Sequence, residues 1–240
     1  MMDELDVVLP VLDLVEKNPV ARDAVRRLVS TRAGARLPFI HRALLGMRAF
    51  DLHDVDAERG EIGFGGVREV IFGAGWLKLF HKEIAAAIGD DAKDALLYRI
   101  ATQGTTWEIQ EVLKDMRWIP SALRDAIAER RLMESVRSDA RLGRLFRHIT
   151  REVSRLIITE GGWGNVVEYA FERDPIRVVM TETMEAKMLG AATKPTCVIT
   201  AGGTAGYLIG LTGDRYDARE VRCVSVSGGS TCEFEVTRSA

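Results

Sequence analysis

The sequence lacks most of the features that mark secreted, disulfide-rich or disordered proteins. Its 240 residues include three cysteines, six prolines and 22 glycines, a composition that excludes a disulfide-dense, collagen-like or disordered chain. Acidic residues stand at positions 3, 4 and 6 and no basic residue precedes them, so the amino terminus has no signal-peptide n-region. We therefore expect a cytoplasmic protein, in which a disulfide is disfavoured.

A strong net charge and a membrane-spanning run are also missing. Basic residues number 33 and acidic residues 35, for a net charge of −2, which argues against a globally cationic surface for a nucleic-acid partner. The longest uncharged stretch, residues 195–213, contains five glycines and four threonines, whereas a membrane span needs about 20 predominantly apolar residues. We interpret this stretch as a buried element of a protein with no membrane span.

A change of composition divides the chain. Residues 18–50 follow helical spacing from the capping pair Asn18-Pro19 onward and carry seven arginines against one acid. Residues 51–58 are then acidic, and Gly60 closes the turn. We therefore predict an amino-terminal helical extension over residues 1–59 and a ligand-binding main domain over residues 60–240.

Within the main domain, helical patterns come first and strand patterns follow. Helices are predicted over residues 67–88, 92–118 and 121–134 and then to residue 158; strands are predicted over residues 166–171 and 176–183, a helix over 196–211, and two further strands around the turn at 227–230. Helices followed by two hairpins predict an α+β fold in which the helices pack on an antiparallel sheet.

All three cysteines, at positions 197, 223 and 232, lie within the last 44 residues. A hairpin there can bring Glu220, Cys223 and Cys232 together, with Cys197 at the start of the preceding helix. Three thiolates and one carboxylate form a closed tetrahedral set suited to structural zinc. The alternative is three buried thiols that act as small hydrophobic side chains, and the spacing alone leaves both open.

Three glycines recur every four residues, at positions 202, 206 and 210, and leave a bare stripe on one helix face. Each costs a helix about 1 kcal/mol relative to alanine, so the stripe predicts a compensating close contact. Tight packing of this helix on the sheet is the favoured interpretation, and close approach of a ligand or a partner subunit is the alternative.

A basic stripe follows the fourth helix of the main domain. It consists of Arg137, Arg141, Arg144, His148, Arg151 and Arg155. Apolar residues occupy much of the remaining circumference and are expected to face the core. A solvated face is the ordinary explanation of such a stripe, and contact with an anionic partner is the functional one.

No catalytic motif is recognisable. The four histidines form no HExxH or HxxxH pair, and the GxSxG, GxGxxG and phosphate-loop patterns are all missing from the sequence. We therefore do not predict an enzyme.

The carboxyl-terminal segment carries a recognisable set of residues. They are Cys197, Gly202, Gly206, Gly213, Arg219-Glu220-Val221 and Cys223, followed by a glycine turn and the run from Cys232 to Val236. This set resembles the 4-vinyl reductase domain family, which includes the sensory domains of phenol- and xylene-responsive activators and shares its fold with small subunits of the TRAPP vesicle-tethering complex. The resemblance implies that Cys197, Glu220, Cys223 and Cys232 bind zinc.

The same resemblance implies a function. We expect a domain that binds or senses a hydrophobic or aromatic small molecule, forms a homodimer and acts through a protein partner. Its apolar pocket is predicted between helices and sheet. The predicted lining residues are Ile157, Trp163, Met180 and Met184. Two alternatives are a scaffolding module similar to the vesicle-tethering subunits and a tetrapyrrole-binding accessory protein.

Overall fold

The computed structural model describes residues 4–31, 33–37, 42, 44–64, 67–70, 73–114 and 119–239. Its helices are α1 (Glu4–Lys17), α2 (Pro19–Val29), α3 (Ala49–Leu52), α4 (Ala74–Ile88), α5 (Asp90–Leu113), α6 (Ser121–Ala128), α7 (Leu132–Ser138), α8 (Ala140–Ser154), α9 (Met184–Leu189), α10 (Val198–Thr212) and α11 (Val224–Ser227). Its strands are β1 (His53–Asp56), β2 (Glu61–Phe64), β3 (Val67–Glu69), β4 (Asn165–Ala170), β5 (Ile176–Thr181), β6 (Tyr216–Arg222) and β7 (Thr231–Arg238). A 3-10 turn (Gly34–Arg36) and a π-helical turn (Arg155–Thr159) complete the assignment.

The chain forms two compact units. The first contains residues 1–69 and 114–161, and the second contains residues 70–113 and 162–240. This division is based on compactness alone. The predicted boundary after residue 59, between a helical extension and a ligand-binding domain, stays a prediction. Helices with two antiparallel sheets confirm the predicted α+β class.

Helical capping and apolar spacing build the first unit. The side chain of Asn18 accepts hydrogen bonds from the backbone N–H groups of Val20 and Ala21, and Pro19 begins α2 as predicted. The inner face of α1 is apolar at helical spacing and consists of the buried residues Leu5, Leu9, Leu12 and Val15. Strands β1, β2 and β3 form an antiparallel sheet in chain order.

The predicted start of the first main-domain helix is wrong. The spacing places that helix over residues 67–88, but Val67 to Glu69 pair with β2 as strand β3, and the helix begins at Ala74. A three-residue strand carries too little periodicity to be separated from a helix by pattern alone, so the pairing with β2 decides the conformation.

Four residues of the basic stripe lie on α8 and pair with acidic side chains of α1, whereas Arg137 lies on α7 and Arg155 in the π-helical turn. Arg141 lies 3.1 Å from Asp6, and Arg144 pairs with Asp13. His148 and Arg151 both contact Glu16. His148 is also only 3% exposed, so it lies under α1 and does not belong to a solvated face. The acidic partners of Arg141, Arg144, His148 and Arg151 therefore lie within the first unit.

The second unit is built on a four-stranded antiparallel sheet in the order β4-β5-β7-β6. The predicted first hairpin is confirmed as β4 and β5, and the second as β6 and β7. The inner face of the two central strands is fully enclosed and consists of Val178, Met180, Phe234 and Val236. Pairing of β5 with β7 sets Met180 directly opposite Cys232.

The glycine stripe of α10 faces α5 and not the sheet. A Cβ atom added at Gly202 would lie 2.4 Å from the carbonyl oxygen of Tyr98, and one at Gly206 would lie 2.5 Å from that of Thr102. At Gly210 the added atom would lie 2.7 Å from the Cβ atom of Ile109. The predicted close contact is thus present, but its partner is a helix of the same unit.

None of the helices within the described ranges combines the length and the apolar character that a bilayer crossing requires.

Candidate metal centre

Four side chains from three elements meet in the second unit. Cys197 precedes α10, Glu220 lies on β6, Cys223 lies between β6 and α11, and Cys232 is the second residue of β7. One potential ligand atom from each lies within 4.8 Å of the other three. We call these four residues the Cys3Glu cluster.

The cluster is enclosed, and its sulfur atoms have hydrogen-bonding neighbours. The three cysteines are at most 3% exposed. The Sγ atoms of Cys197 and Cys232 lie 3.7 Å apart, and the Thr183 hydroxyl lies 3.2 Å from Cys232 Sγ and 3.6 Å from Cys197 Sγ. The backbone N–H of Val224 donates to Cys232 Sγ at 3.5 Å. Hydrogen bonds of this kind stabilise thiolate charge.

One carboxylate oxygen of Glu220 accepts a hydrogen bond, and the other oxygen has no partner among the described residues. Its Oε2 atom accepts a hydrogen bond of 2.8 Å from the backbone N–H of Cys197. Its Oε1 atom is buried and has no hydrogen-bond partner among the described residues. A buried carboxylate oxygen without a partner is costly, unless a cation coordinates it.

Without a cation, the cluster resists further ionisation. The hydrogen bond from Cys197 lowers the pKa of Cys232, and the same hydrogen bond, together with burial, raises the pKa of Cys197. Burial likewise raises the pKa of Cys223. Because the pKa values of two of the three thiols are raised in the absence of positive charge, a bound cation is needed to stabilise three thiolates beside a carboxylate.

The donor set fits a soft or borderline divalent metal ion. Three sulfur atoms and one free carboxylate oxygen provide four protein ligands in a dry environment, which matches closed tetrahedral coordination. The four residues predicted as ligands are therefore brought together, and they are the residues that can hold a metal ion.

The predicted ligand-binding residues divide between the two units. Trp163, Met180 and Met184 lie in the second unit, where the N–H of Met184 donates to the carbonyl oxygen of Trp163 at 2.9 Å. Met180 is fully buried in β5. Ile157 lies in the π-helical turn of the first unit and is 42% exposed. Their role in ligand binding stays a prediction.

A buried carboxylate was missed by the sequence reasoning. Glu185 is fully buried and accepts hydrogen bonds from the N–H groups of Ile199 and Thr200 and from the Thr200 hydroxyl, at 2.7–2.9 Å. Burial raises its pKa to about 7. The side chain thereby fixes α9 to the first turn of α10, directly after Cys197. Its position one residue inside a six-residue helix gave no sequence signal.

Thr183 was also missed, because the sequence pattern places it at the end of a strand predicted over residues 176–183, whereas in the structure it directly precedes α9. Here its side chain makes no capping hydrogen bond, and the hydroxyl contacts the cluster sulfur atoms instead.

Comparison with known proteins supports the family resemblance. The family model of the 4-vinyl reductase domain matches residues 176–238. The crystal structure of the phenol-responsive sensory domain of the transcription activator PoxR with phenol is similar, with a TM-score of 0.56, 16% identity, and coverage of 83% of this chain and 90% of that chain.

A vinyl-4-reductase family protein from Methanocaldococcus jannaschii is similar at a TM-score of 0.40 and 15% identity, over 72% of this chain and 85% of that chain. No curated protein matches the sequence. The matched range of the family model contains all four residues of the Cys3Glu cluster. The resemblance to the 4-vinyl reductase domain family is thus confirmed for residues 176–238, the segment that carries the candidate metal centre.

Proposed function

We propose that this chain is a cytoplasmic, homodimeric ligand-sensing protein that binds a hydrophobic or aromatic small molecule, carries a structural zinc ion and acts through a protein partner. The observation that supports this most is the closed Cys3Glu cluster inside the segment that matches the 4-vinyl reductase domain. The fold similarity to a sensory domain that binds phenol supports ligand sensing over catalysis.

Zinc is the proposed ion because of the donor set. Thiolates select soft or borderline cations, and zinc accepts three sulfur ligands and one oxygen ligand without redox chemistry of its own. All four positions would be occupied by protein atoms, so no position is open for substrate. The ion would join the start of α10 to β6 and β7, and its binding free energy would stabilise the folded state.

The organic ligand is proposed to lie against Trp163, Met180 and Met184, the sequence-predicted lining residues of the second unit, and the contribution of Ile157 in the first unit stays a prediction. Apolar and aromatic lining suits a ligand that is recognised mainly by burial of its surface. The family name refers to a reductase, but we propose binding without turnover, because the sequence carries no dinucleotide motif.

The scaffolding alternative, which also draws on the fold shared with the vesicle-tethering subunits and on the amino-terminal helices, loses one of its supporting observations. It relied on a basic stripe that would meet an acidic partner, and four residues of that stripe are paired with acidic side chains of α1. A tetrapyrrole-binding role has no feature of the described residues in its favour.

Metal analysis and ligand binding test the proposal together. We expect about one zinc ion per chain in the purified protein. Cys223→Ser should lower both the zinc content and the melting temperature, whereas Val226→Thr, a change at a half-exposed position of the neighbouring helix α11, should alter neither. Full zinc retention in Cys223→Ser would contradict the metal assignment.

Ligand sensing is tested separately on the zinc-loaded protein. Phenol and xylene should raise the melting temperature, and polar analogues of the same size should not. If no apolar or aromatic compound stabilises the protein, the sensing proposal fails even when zinc is present.

A further inference from the structure

A groove of about 420 Å³ lies on the second unit. One face of α4 supplies most of its wall, the first turn of α5 supplies a second part, and Leu189 at the end of α9 supplies a third. The volume falls within the usual range of small-molecule sites. None of the predicted ligand-binding residues lines this groove.

A buried histidine without hydrogen bonds lies in the groove. His81 is 3% exposed, and neither ring nitrogen has a hydrogen-bond partner among the residues that the structure describes. Its Nε2 atom lies 3.8 Å from Glu185 Oε1, beyond hydrogen-bond distance. Glu185 in turn already accepts three hydrogen bonds from α10. A buried polar ring with no partner costs free energy, which a bound ligand would recover.

The imidazole has one hydrogen bond left to donate. Burial, reinforced by the positive charge of Lys93, lowers the pKa of His81. The ring is therefore neutral at neutral pH and carries one N–H donor and one acceptor nitrogen. It is the only buried lining residue of the groove besides Lys93.

The three lysines that line the groove are paired to different extents. The ammonium group of Lys93 is paired with Asp90 at 3.3 Å and with Asp94 at 2.9 Å, and Asp94 also pairs with Lys194 at 2.8 Å, so Lys93 is already neutralised by its neighbours. Lys78 has no charged partner within the described ranges, and Lys82 makes only a 3.8 Å contact with its neighbour Glu83. Lys78 precedes His81 by one helical turn, so both side chains are on the same face of α4.

We propose that this groove binds a small monocarboxylate with an apolar body. One carboxylate oxygen accepts the His81 N–H, the other contacts the Lys78 ammonium group, and the body packs on Leu79, Ala85 and Leu189. A phosphate dianion fits less well, because Lys93 is already paired with Asp90 and Asp94, and the His81 N–H is the only buried donor without a partner among the described lining residues. The site goes beyond the proposed function, since it lies elsewhere and takes a different ligand.

The test is calorimetric titration of the zinc-loaded full chain with benzoate and octanoate. Benzamide and octanamide serve as neutral analogues of the same shape, and inorganic phosphate serves as an anion without an apolar body. We expect saturable carboxylate binding that weakens at high salt. The amides should bind at least about tenfold more weakly, because they lose the charge-assisted contacts.

Three variants locate the binding. His81→Phe should weaken benzoate binding about tenfold or more, and Lys78→Glu should weaken it about fivefold. Arg99→Glu makes the same charge change at an exposed position of α5 outside the groove and should leave binding unchanged. The melting temperature of His81→Phe should stay level or rise, because the variant removes an unsatisfied polar ring and keeps a planar side chain.

The outcomes separate this inference from the proposed function. Carboxylate binding that is insensitive to both His81→Phe and Lys78→Glu would overturn the inference, as would phosphate binding of equal strength or no carboxylate binding at all. If phenol or xylene stabilises the protein and carboxylates do not bind, the inference fails and the proposed function stands. If only carboxylates bind, and they require His81, the inference stands without the proposed apolar site.

Discussion

Two alanine substitutions one turn apart on α10 are expected to change stability in opposite directions. Gly203→Ala places a Cβ atom 3.5 Å from the Thr105 hydroxyl oxygen, an ordinary contact. Gly206→Ala places one 2.5 Å from the carbonyl oxygen of Thr102 and 3.0 Å from the Cβ atom of Thr105. The chemical change and the helix are the same, so only the distance to α5 differs.

The magnitudes follow from two opposing contributions. Alanine in place of a helical glycine stabilises by about 0.5–1 kcal/mol, chiefly because the unfolded chain loses freedom. Gly203→Ala should realise most of that gain. At position 206 the contact must open from 2.5 Å to about 3.4 Å against a backbone atom that cannot rotate away. Such overpacking costs about 1–3 kcal/mol, so after the helical gain is subtracted Gly206→Ala should be destabilising by about 1 kcal/mol at the middle of these ranges and by about 2.5 kcal/mol at most.

Urea denaturation of both zinc-loaded variants, with the wild type measured in parallel, tests this expectation. The midpoint should rise for Gly203→Ala and fall for Gly206→Ala, with unchanged slopes. If both variants are equally stabilised, α10 does not approach α5 at the glycine stripe, and the argument for that contact is refuted.

Three further outcomes are expected. Thr183→Val should raise the zinc dissociation constant about tenfold in a chelator competition, with Thr183→Ser close to wild type, because the hydroxyl hydrogen-bonds the cluster sulfur atoms. Prolonged EDTA treatment should lower the melting temperature of wild type, and added zinc should restore it. Burial alone would raise the pKa of Glu16, but hydrogen bonds from Arg151 and His148 lower it below its ordinary value. Glu16→Gln should therefore cost about 1 kcal/mol at pH 7, and a urea-denaturation series should show that cost vanishing as the pH falls through the folded-state pKa; a pH-independent cost would contradict the reasoning.

The carboxyl-terminal half was predicted well because its signals are local. Two strand patterns around a glycine turn define the hairpin that carries Glu220, Cys223 and Cys232, and the uncharged stretch before it defines α10. The spacing alone brings these three residues close to the start of α10, but the register shift between Glu220 and Arg222 is not visible in the sequence pattern. The family resemblance selected zinc binding over three buried thiols, which the spacing could not do.

The parts that were missed depend on distant residues. The glycine stripe predicted a close contact, but only the three-dimensional arrangement shows that α5, about 100 positions earlier, occupies it. The acids that pair with Arg144 and Arg151 lie more than 120 residues before them. The burial of His81 is equally non-local, because the apolar residues around it on α4, such as Trp76 and Phe80, are themselves exposed.

The short helix α9 connects two places on the second unit. Thr183 touches the cluster sulfur atoms at one end, and Leu189 lines the groove at the other, about 9 Å away along the axis. Glu185 fixes the middle of this connection to the first turn of α10. A groove ligand that displaces α9 would also displace Thr183, and thermodynamic reciprocity would then require the proposed ligand and the proposed metal ion to change each other's affinity by the same factor.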